Sequence, residues 1–145
     1  LATALVRRGS RILLVASRYP NHDEPLWNLP GGRKRPGELL VGTALRELRE
    51  ETGLEGRARD LCYVSESYDG KVHFLNTTFE VEASGETRKG LVEGDHVVEA
   101  AWIPLEFVAV RLTVAVVREP LLGFLSQERR YAGYPEAGIT IEFPD

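Results

Sequence analysis

Three glutamates, Glu47, Glu50 and Glu51, fall within five consecutive positions. On a helix, residues three and four apart are neighbours, so these side chains share one side and repel one another. A cluster of this kind becomes tolerable when a divalent cation sits among its oxygens. Hard oxygen donors favour Mg2+, with Mn2+ as the alternative, over softer metals. Arg46, four before Glu50, suits a charge-assisted contact that holds a glutamate in place. Just upstream, Pro30-Gly31-Gly32 reads as a glycine-rich turn where backbone approaches a ligand closely.

The acids need a helix to carry them. Val41, Ala44, Leu45 and Leu48 follow the i, i+3, i+4, i+7 rule and form a core-facing stripe. At 100° per residue the three acids are centred roughly 125° from that stripe, which points them out of the core toward a cleft. Glu38 falls near the helix start, where negative charge suits the dipole, and Gly53 fits the stop. Leu1 to Val6 and Arg11 to Ala16 read as a hairpin around Arg8-Gly9-Ser10. Arg18 to Pro25 is a polar loop near the site. Leu61 to Tyr68 and Val72 to Val81 read as strands joined at Asp69-Gly70. Ser84 to Gly94 is a polar loop, Val97 to Ile103 a strand, and Pro104 to Val108 the start of a short helix. Thr113 to Gln127 has the spacing of a last helix, and Gly138 to Phe143 is a candidate strand in the tail. This order suggests a mixed sheet between helices.

Gly32, Glu38, Arg46, Glu47, Leu48, Glu50, Glu51, Gly53 and Leu54 fill every fixed position of the Nudix box, and Trp27-Asn28-Leu29-Pro30-Gly31 is similar to the family's lead-in. The chain is therefore identified as resembling the MutT-like Nudix hydrolases. The resemblance implies an α/β/α sandwich with a mixed sheet, formed by residues 1–145 as one domain, the box supplying loop, helix and loop. It implies metal-dependent attack of water on a pyrophosphate bond in a nucleoside diphosphate linked to another group. It makes Glu47, Glu50 and Glu51 metal ligands, with a backbone carbonyl from Gly31 or Gly32. Because the general base varies within the family, the resemblance also admits Glu50 or Glu51 as the group that polarises the water instead, and Arg46 positions a glutamate. Glu38 is either an outer ligand or a support for the helix start. A further acid downstream is sought among Glu80, Glu82, Glu93, Asp95 and Glu99. Glu99 stands three before Trp102, and His96 occupies the position six before it where many relatives have an acid.

Arg18, Arg33 and Arg35 are the candidates for meeting substrate phosphates, with Lys34 as readily a surface charge. Tyr19, Tyr68 and Phe74 offer faces for a base or for packing. His22, His73 and His96 read as ordinary loop or strand histidines. The bland rival for the acids is a solvated face supported by pairs such as Arg46 with Glu50. The complete spacing argues against it.

The 145 residues include 18 basic and 22 acidic ones, for a net charge of -4, with 28% charged and 43% hydrophobic. That is the composition of a globular protein of single-domain length. The acidic balance argues against long nucleic acid as the partner, an RNA end included, but admits a small nucleotide beside a metal. The lone Cys62 excludes a disulfide framework and a thiolate zinc site, and a cytoplasmic setting is the expectation. No run reaches membrane-spanning length, and LATALVRR is too short for a secretory signal. Leu1 in place of Met implies residues outside this numbering. Substrates remain open among nucleoside triphosphates, oxidised nucleotides, nucleotide sugars and ADP-ribose-like compounds. A nucleotide-sensing domain without turnover is the rival function. Oligomeric state is open, a homodimer included.

Overall fold

The structure is a computed structural model that describes residues 1–87 and 96–143. Its strands are β1 (Ala2–Leu5), β2 (Arg7–Arg8), β3 (Arg11–Ser17), β4 (Leu26–Asn28), β5 (Gly31–Gly32), β6 (Glu55–Tyr68), β7 (His73–Ser84), β8 (Val97–Pro104) and β9 (Tyr131–Tyr134). The helices are α1 (Leu40–Thr52), α2 (Leu105–Arg111) and α3 (Ala115–Leu125). A mixed sheet runs β5-β1-β7-β6-β9, and an antiparallel sheet joins β3 to β2, β4 and β8. This is the expected mixed α/β sandwich, with its strands divided between two sheets.

Alternation along the first strands explains the layering. Leu5, Ile12 and Leu14 face a core completed by Val108, Leu112 and Leu121 of the α2–α3 side. Ala2, Ala4, Val6 and Leu13 face the opposite core, built with Ala44 and Leu48 of α1. Successive strand residues point to opposite faces, so one strand serves both cores. α1 therefore lies on one face and α2 and α3 on the other.

The Asp69-Gly70 turn forms as expected. The Asp69 carboxylate accepts from the backbone N–H groups of Lys71 and Val72, and Gly70 takes a φ of 99°. The first expected hairpin is different. The Arg8–Arg11 turn exists, but only Arg7 and Arg8 pair across it, while Ala2–Leu5 pairs in parallel with β7. A largely apolar run with both faces buried belongs inside a sheet rather than at the edge of a hairpin. β6 starts at Glu55, six residues before its apolar part, because backbone pairing to β7 continues through polar residues. In the tail the strand is Tyr131–Tyr134, paired with β6, and not 138–143. There Ile139, Ile141 and Phe143 line a cavity instead of entering a ladder. Most of the expected 84–94 loop lies outside the described residues. Among those described, no helix is long and apolar enough to cross a membrane.

Candidate active site

α1 presents the carboxylates because its ends are fixed. Leu48 is fully buried against β1 and β3 side chains. At the C-terminus, Gly53 adopts φ 81° and its N–H donates to the Arg49 carbonyl. This left-handed stop favours glycine. Thr52 locks the same turn by donating to the Leu48 carbonyl (2.6 Å) and accepting from the Leu54 N–H (3.2 Å). The N-terminus lacks a side-chain cap: Leu39 is the cap residue and the first turn holds no acid.

Glu38 does not cap the helix, but it is tied to the first turns of α1 through Thr43 and Arg46. Its carboxylate accepts from Arg46 Nε (2.7 Å) and Nη2 (3.0 Å), from Thr43 Oγ1 (3.0 Å) and from the Arg35 N–H (2.8 Å). These bonds pull its pKa down to about 2, with Arg46 the largest contributor. Arg46 also donates from Nη1 to Glu47 (2.8 Å) and Glu50 (3.2 Å), and from Nη2 to the Arg33 carbonyl (3.1 Å). A guanidinium has five N–H groups, and here five acceptor contacts meet them. The side chain is only 10% exposed and, held chiefly by Glu38, keeps its proton more firmly than an ordinary arginine. Arg46 therefore joins three glutamates of the box, Glu38, Glu47 and Glu50, at once.

The three expected ligands occupy different surroundings. Glu50 is 47% exposed, with Arg35 Nη2 3.6 Å from its Oε1. Glu47 is 15% exposed, and burial pushes its carboxyl above the ordinary value despite Arg46. Glu51 is buried at 7% and does not point outward as expected; its Oε1 accepts from the Gly31 N–H at 2.7 Å. The reason is angular. Glu51 is three residues past Leu48, about 60° away around the helix, so it shares the inner flank.

Gly31-Gly32 is a short strand against β1 and not a free turn, with Gly31 opposite Thr3 and Gly32 opposite Ala2. A Cβ on Gly31 would stand 2.4 Å from Thr3 Cγ2 and 2.5 Å from the Ala2 carbonyl oxygen. On Gly32 it would stand 2.7 Å from the Glu47 carboxyl carbon. Glycine at 31 lets two backbones meet, and glycine at 32 leaves room for a carboxylate.

On the other side of these glycines lies a cavity of about 160 Å³, reached by Tyr19, Asn28, Tyr63, Phe74, Asn76 and Phe143 among others. The tail closes over it. Asn21 Nδ2 donates to the Thr140 carbonyl (2.6 Å), and Asn21 Oδ1 accepts from the Glu142 N–H (3.0 Å). Phe143 packs on Tyr19 and Phe74 at 6.0 and 6.1 Å between ring centres, and the Arg33 guanidinium sits 4.8 Å from its centre. Burial and the Glu51 charge both raise the Tyr19 pKa. Charge on His96 works with Arg46 to favour ionised Glu47, and its ring packs 6.1 Å from Tyr19. His96, read as an ordinary histidine, thus stands at the edge of the site.

The remaining candidates divide. Arg33 and Arg35 reach the cluster, the first through its carbonyl and the second beside Glu50. Arg18 is exposed, and its backbone N–H donates to the His96 carbonyl. Glu99 is exposed on β8 opposite Ala16. Glu80 and Glu82 face Arg7 and Arg59 in surface pairs at 3.6 Å. Glu93 and Asp95 lie outside the described residues. Phe143, Asn76 and Tyr63 were not foreseen as a group, since three distant segments bring them together. The only sequence signal was the Ile139, Ile141, Phe143 alternation.

The donor chemistry fits a hard divalent cation: three carboxylates on one helix flank, with space at Gly32 that any Cβ would fill. Among the described residues no three acids or imidazoles already converge on one point. Arg46 and the Gly31 N–H hold them apart.

Comparison with known proteins points the same way. The family model described as NUDIX domain matches residues 1–123. The chain is 32% identical over 110 residues to 8-oxo-dGDP phosphatase NUDT18 of Homo sapiens, covering 75% of this chain and 33% of that protein. It is 38% identical over 60 residues to human diphosphoinositol polyphosphate phosphohydrolase 2, covering 41% of this chain and 31% of that protein. Against the crystal structure of the MutT NUDIX hydrolase from Burkholderia pseudomallei it has 31% identity and a TM-score of 0.69, covering 83% of this chain and 93% of that one. The chain spans about a third of the length of the first two curated relatives it matches.

Proposed function

The chain belongs to the NUDIX family, and from that premise we propose that it is a divalent-metal-dependent pyrophosphohydrolase acting on a small nucleotide, its residues 1–145 forming one domain. The observation that carries this reading is the adjacency of two unlike surfaces. Gly31 and Gly32 touch the carboxylates Glu51 and Glu47 on one side and line the cavity on the other. A molecule with its base in the cavity would lay its phosphates along the acids.

Glu47, Glu50 and Glu51, with a Gly32 carbonyl, would hold the metal. Magnesium, or manganese in its place, supplies charge that offsets the phosphates and acidifies a water. The protein's own part follows from its contacts. Arg46, fixed by Glu38 and the Arg33 carbonyl, keeps the Glu47 and Glu50 carboxylates in place. Glu50, the most exposed of the three, stands nearest to solvent and would take a proton from water. Glu51, tied to the Gly31 N–H, sets the distance between helix and cavity. Arg35 and Arg33 lie where phosphate charge would be met. A cytoplasmic location is part of this reading, and Glu99, Asp95 or Glu93 remains the further acid to test.

The test is a panel of nucleoside triphosphates, oxidised nucleotides, nucleotide sugars and ADP-ribose with Mg2+ or Mn2+, followed by product analysis. Pyrophosphate release assigns triphosphates; a sugar phosphate assigns the other group. Tight nucleotide binding with no turnover in either metal would defeat the enzymatic reading and favour a sensing domain.

A further inference from the structure

One wall of the cavity is held without a ladder. Along 138–143 the side chains alternate: Ile139, Ile141 and Phe143 line the cavity, while Thr140 and Glu142 are exposed. Among the described residues this stretch pairs with no strand. Its root is fixed, because the Ala137 N–H donates to the Tyr68 carbonyl at 2.7 Å. Gly138 follows in the left-handed region, at φ 74°, and turns the chain. Beyond that turn two neighbouring side chains hold the stretch. The Asn21 amide donates to the Thr140 carbonyl (2.6 Å) and accepts from the Glu142 N–H (3.0 Å), taking the place of a neighbouring strand's peptide. His22 Nε2 donates to the same Thr140 carbonyl at 2.8 Å. All three bonds are exposed to water, where each contributes modestly, so the fastening is reversible.

The tip decides what the fastened form does. The Phe143 ring packs on Tyr19 and Phe74 and lies 4.8 Å from the Arg33 guanidinium. Arg33 is one of the two arginines proposed above to meet phosphate. While the ring covers it, its charge is turned to a π face and away from an anion. A ligand that reaches from the cavity to Arg33 has to displace that ring. We infer that residues 138–143 form an autoinhibitory strap, pivoting at Gly138 and clasped by Asn21 and His22, that unfastens before a nucleotide engages Arg33. This rests on the functional reading above and adds regulation to it. The fastened form binds poorly, and apparent affinity scales with the fraction of molecules whose strap is open.

The test pairs hydrogen exchange with steady-state kinetics on the best substrate of the panel above, in wild type, Asn21→Ala and His22→Ala. N21A loses two bonds of the clasp. Its amides in 138–143 should exchange ~10-fold faster, while those of β6 and β7 keep their protection. Its KM should fall ~3–10-fold, with kcat changed by less than about twofold. H22A loses one bond and should move both readouts the same way by less. A folded N21A with faster exchange but an unchanged or raised KM overturns the inference, since the segment would then be a wall that aids binding. Unchanged exchange overturns it too, because Asn21 would not be what holds the segment. Should N21A not fold, H22A is read by the same signs. If the wild type hydrolyses nucleotides and these signs fail, only the strap falls. If it hydrolyses none, the functional reading falls and the strap falls with it.

Discussion

The two sides of Gly31-Gly32 treat polar groups in opposite ways. On the α1 side, charge is dense and compensated: a single guanidinium meets five acceptors, and three glutamates share it. On the cavity side, charge is sparse and the walls are mostly apolar, with Leu29, Val117, Ile139, Ile141 and Phe143 among them. The first arrangement is prepared to handle a charged ligand and tolerates its absence, since Arg46 stands in for positive charge. The second is lined mostly by apolar side chains, which suit a flat, largely apolar group. A charged face can be pre-paired by the protein itself, whereas an apolar cavity works through its shape.

The largest expected effect comes from the charged side. Glu50→Gln and Glu51→Gln should each lower turnover by at least ~100-fold, beyond the ~10–100-fold typical of residues that only orient a ligand. Circular dichroism should show both folded. A rate within threefold of wild type in either variant would remove that glutamate from the proposed set. Arg46→Ala comes next. It leaves Glu38 and Glu47 without their shared guanidinium, and should lower the urea midpoint as well as cost ~10–100-fold in activity. Unchanged stability would mean that the five contacts are not the brace described here.

Smaller effects test the partition itself. Gly31→Ala would push a Cβ against β1 backbone and should destabilise by about 1–3 kcal/mol. Gly32→Ala meets the Glu47 carboxylate first, so it should reduce activity more than stability. The reverse ranking would blur the line between the two glycines. The smallest effect is in pH. The Glu38 pKa is depressed from 4.5 to about 2, so its ionised form is favoured by folding. Its contribution is present above pH 4.5 and is lost as pH falls toward 2. Urea midpoints of wild type and Glu38→Gln should differ at neutral pH and converge across that window. Parallel curves would contradict the assignment.

Local signals carried much of this into the sequence. The Gly53 stop and the Asp69-Gly70 turn depend on neighbours a few residues away and formed as expected, while in the expected stripe Ala44, Leu45 and Leu48 meet the core and Leu40 takes the place of Val41. Glu51 was legible but blurred: averaging three acids into one direction hid that it lies close to Leu48 around the helix. Other features were not readable. Gly31-Gly32 became a strand because β1 happens to lie beside it, and no residue of the pair prefers extended backbone. Tyr131–Tyr134 found a ladder on β6 while the Ile139 to Phe143 alternation did not, a choice made by which edge was free. The Asn76, Thr3 and Thr78 cluster joins β1 to β7 across more than seventy residues, beyond any periodicity.

Thr3 belongs to both worlds, since β1 pairs with Gly31 on one flank and with Thr78 on the other. Two ladder steps therefore separate the edge that would meet phosphates from the cavity wall at Asn76, a span of roughly 10 Å fixed by strand spacing. Backbone pairing makes that span a rigid gauge. Exchanging side chains on either flank changes how tightly each end is gripped and leaves the length being measured untouched.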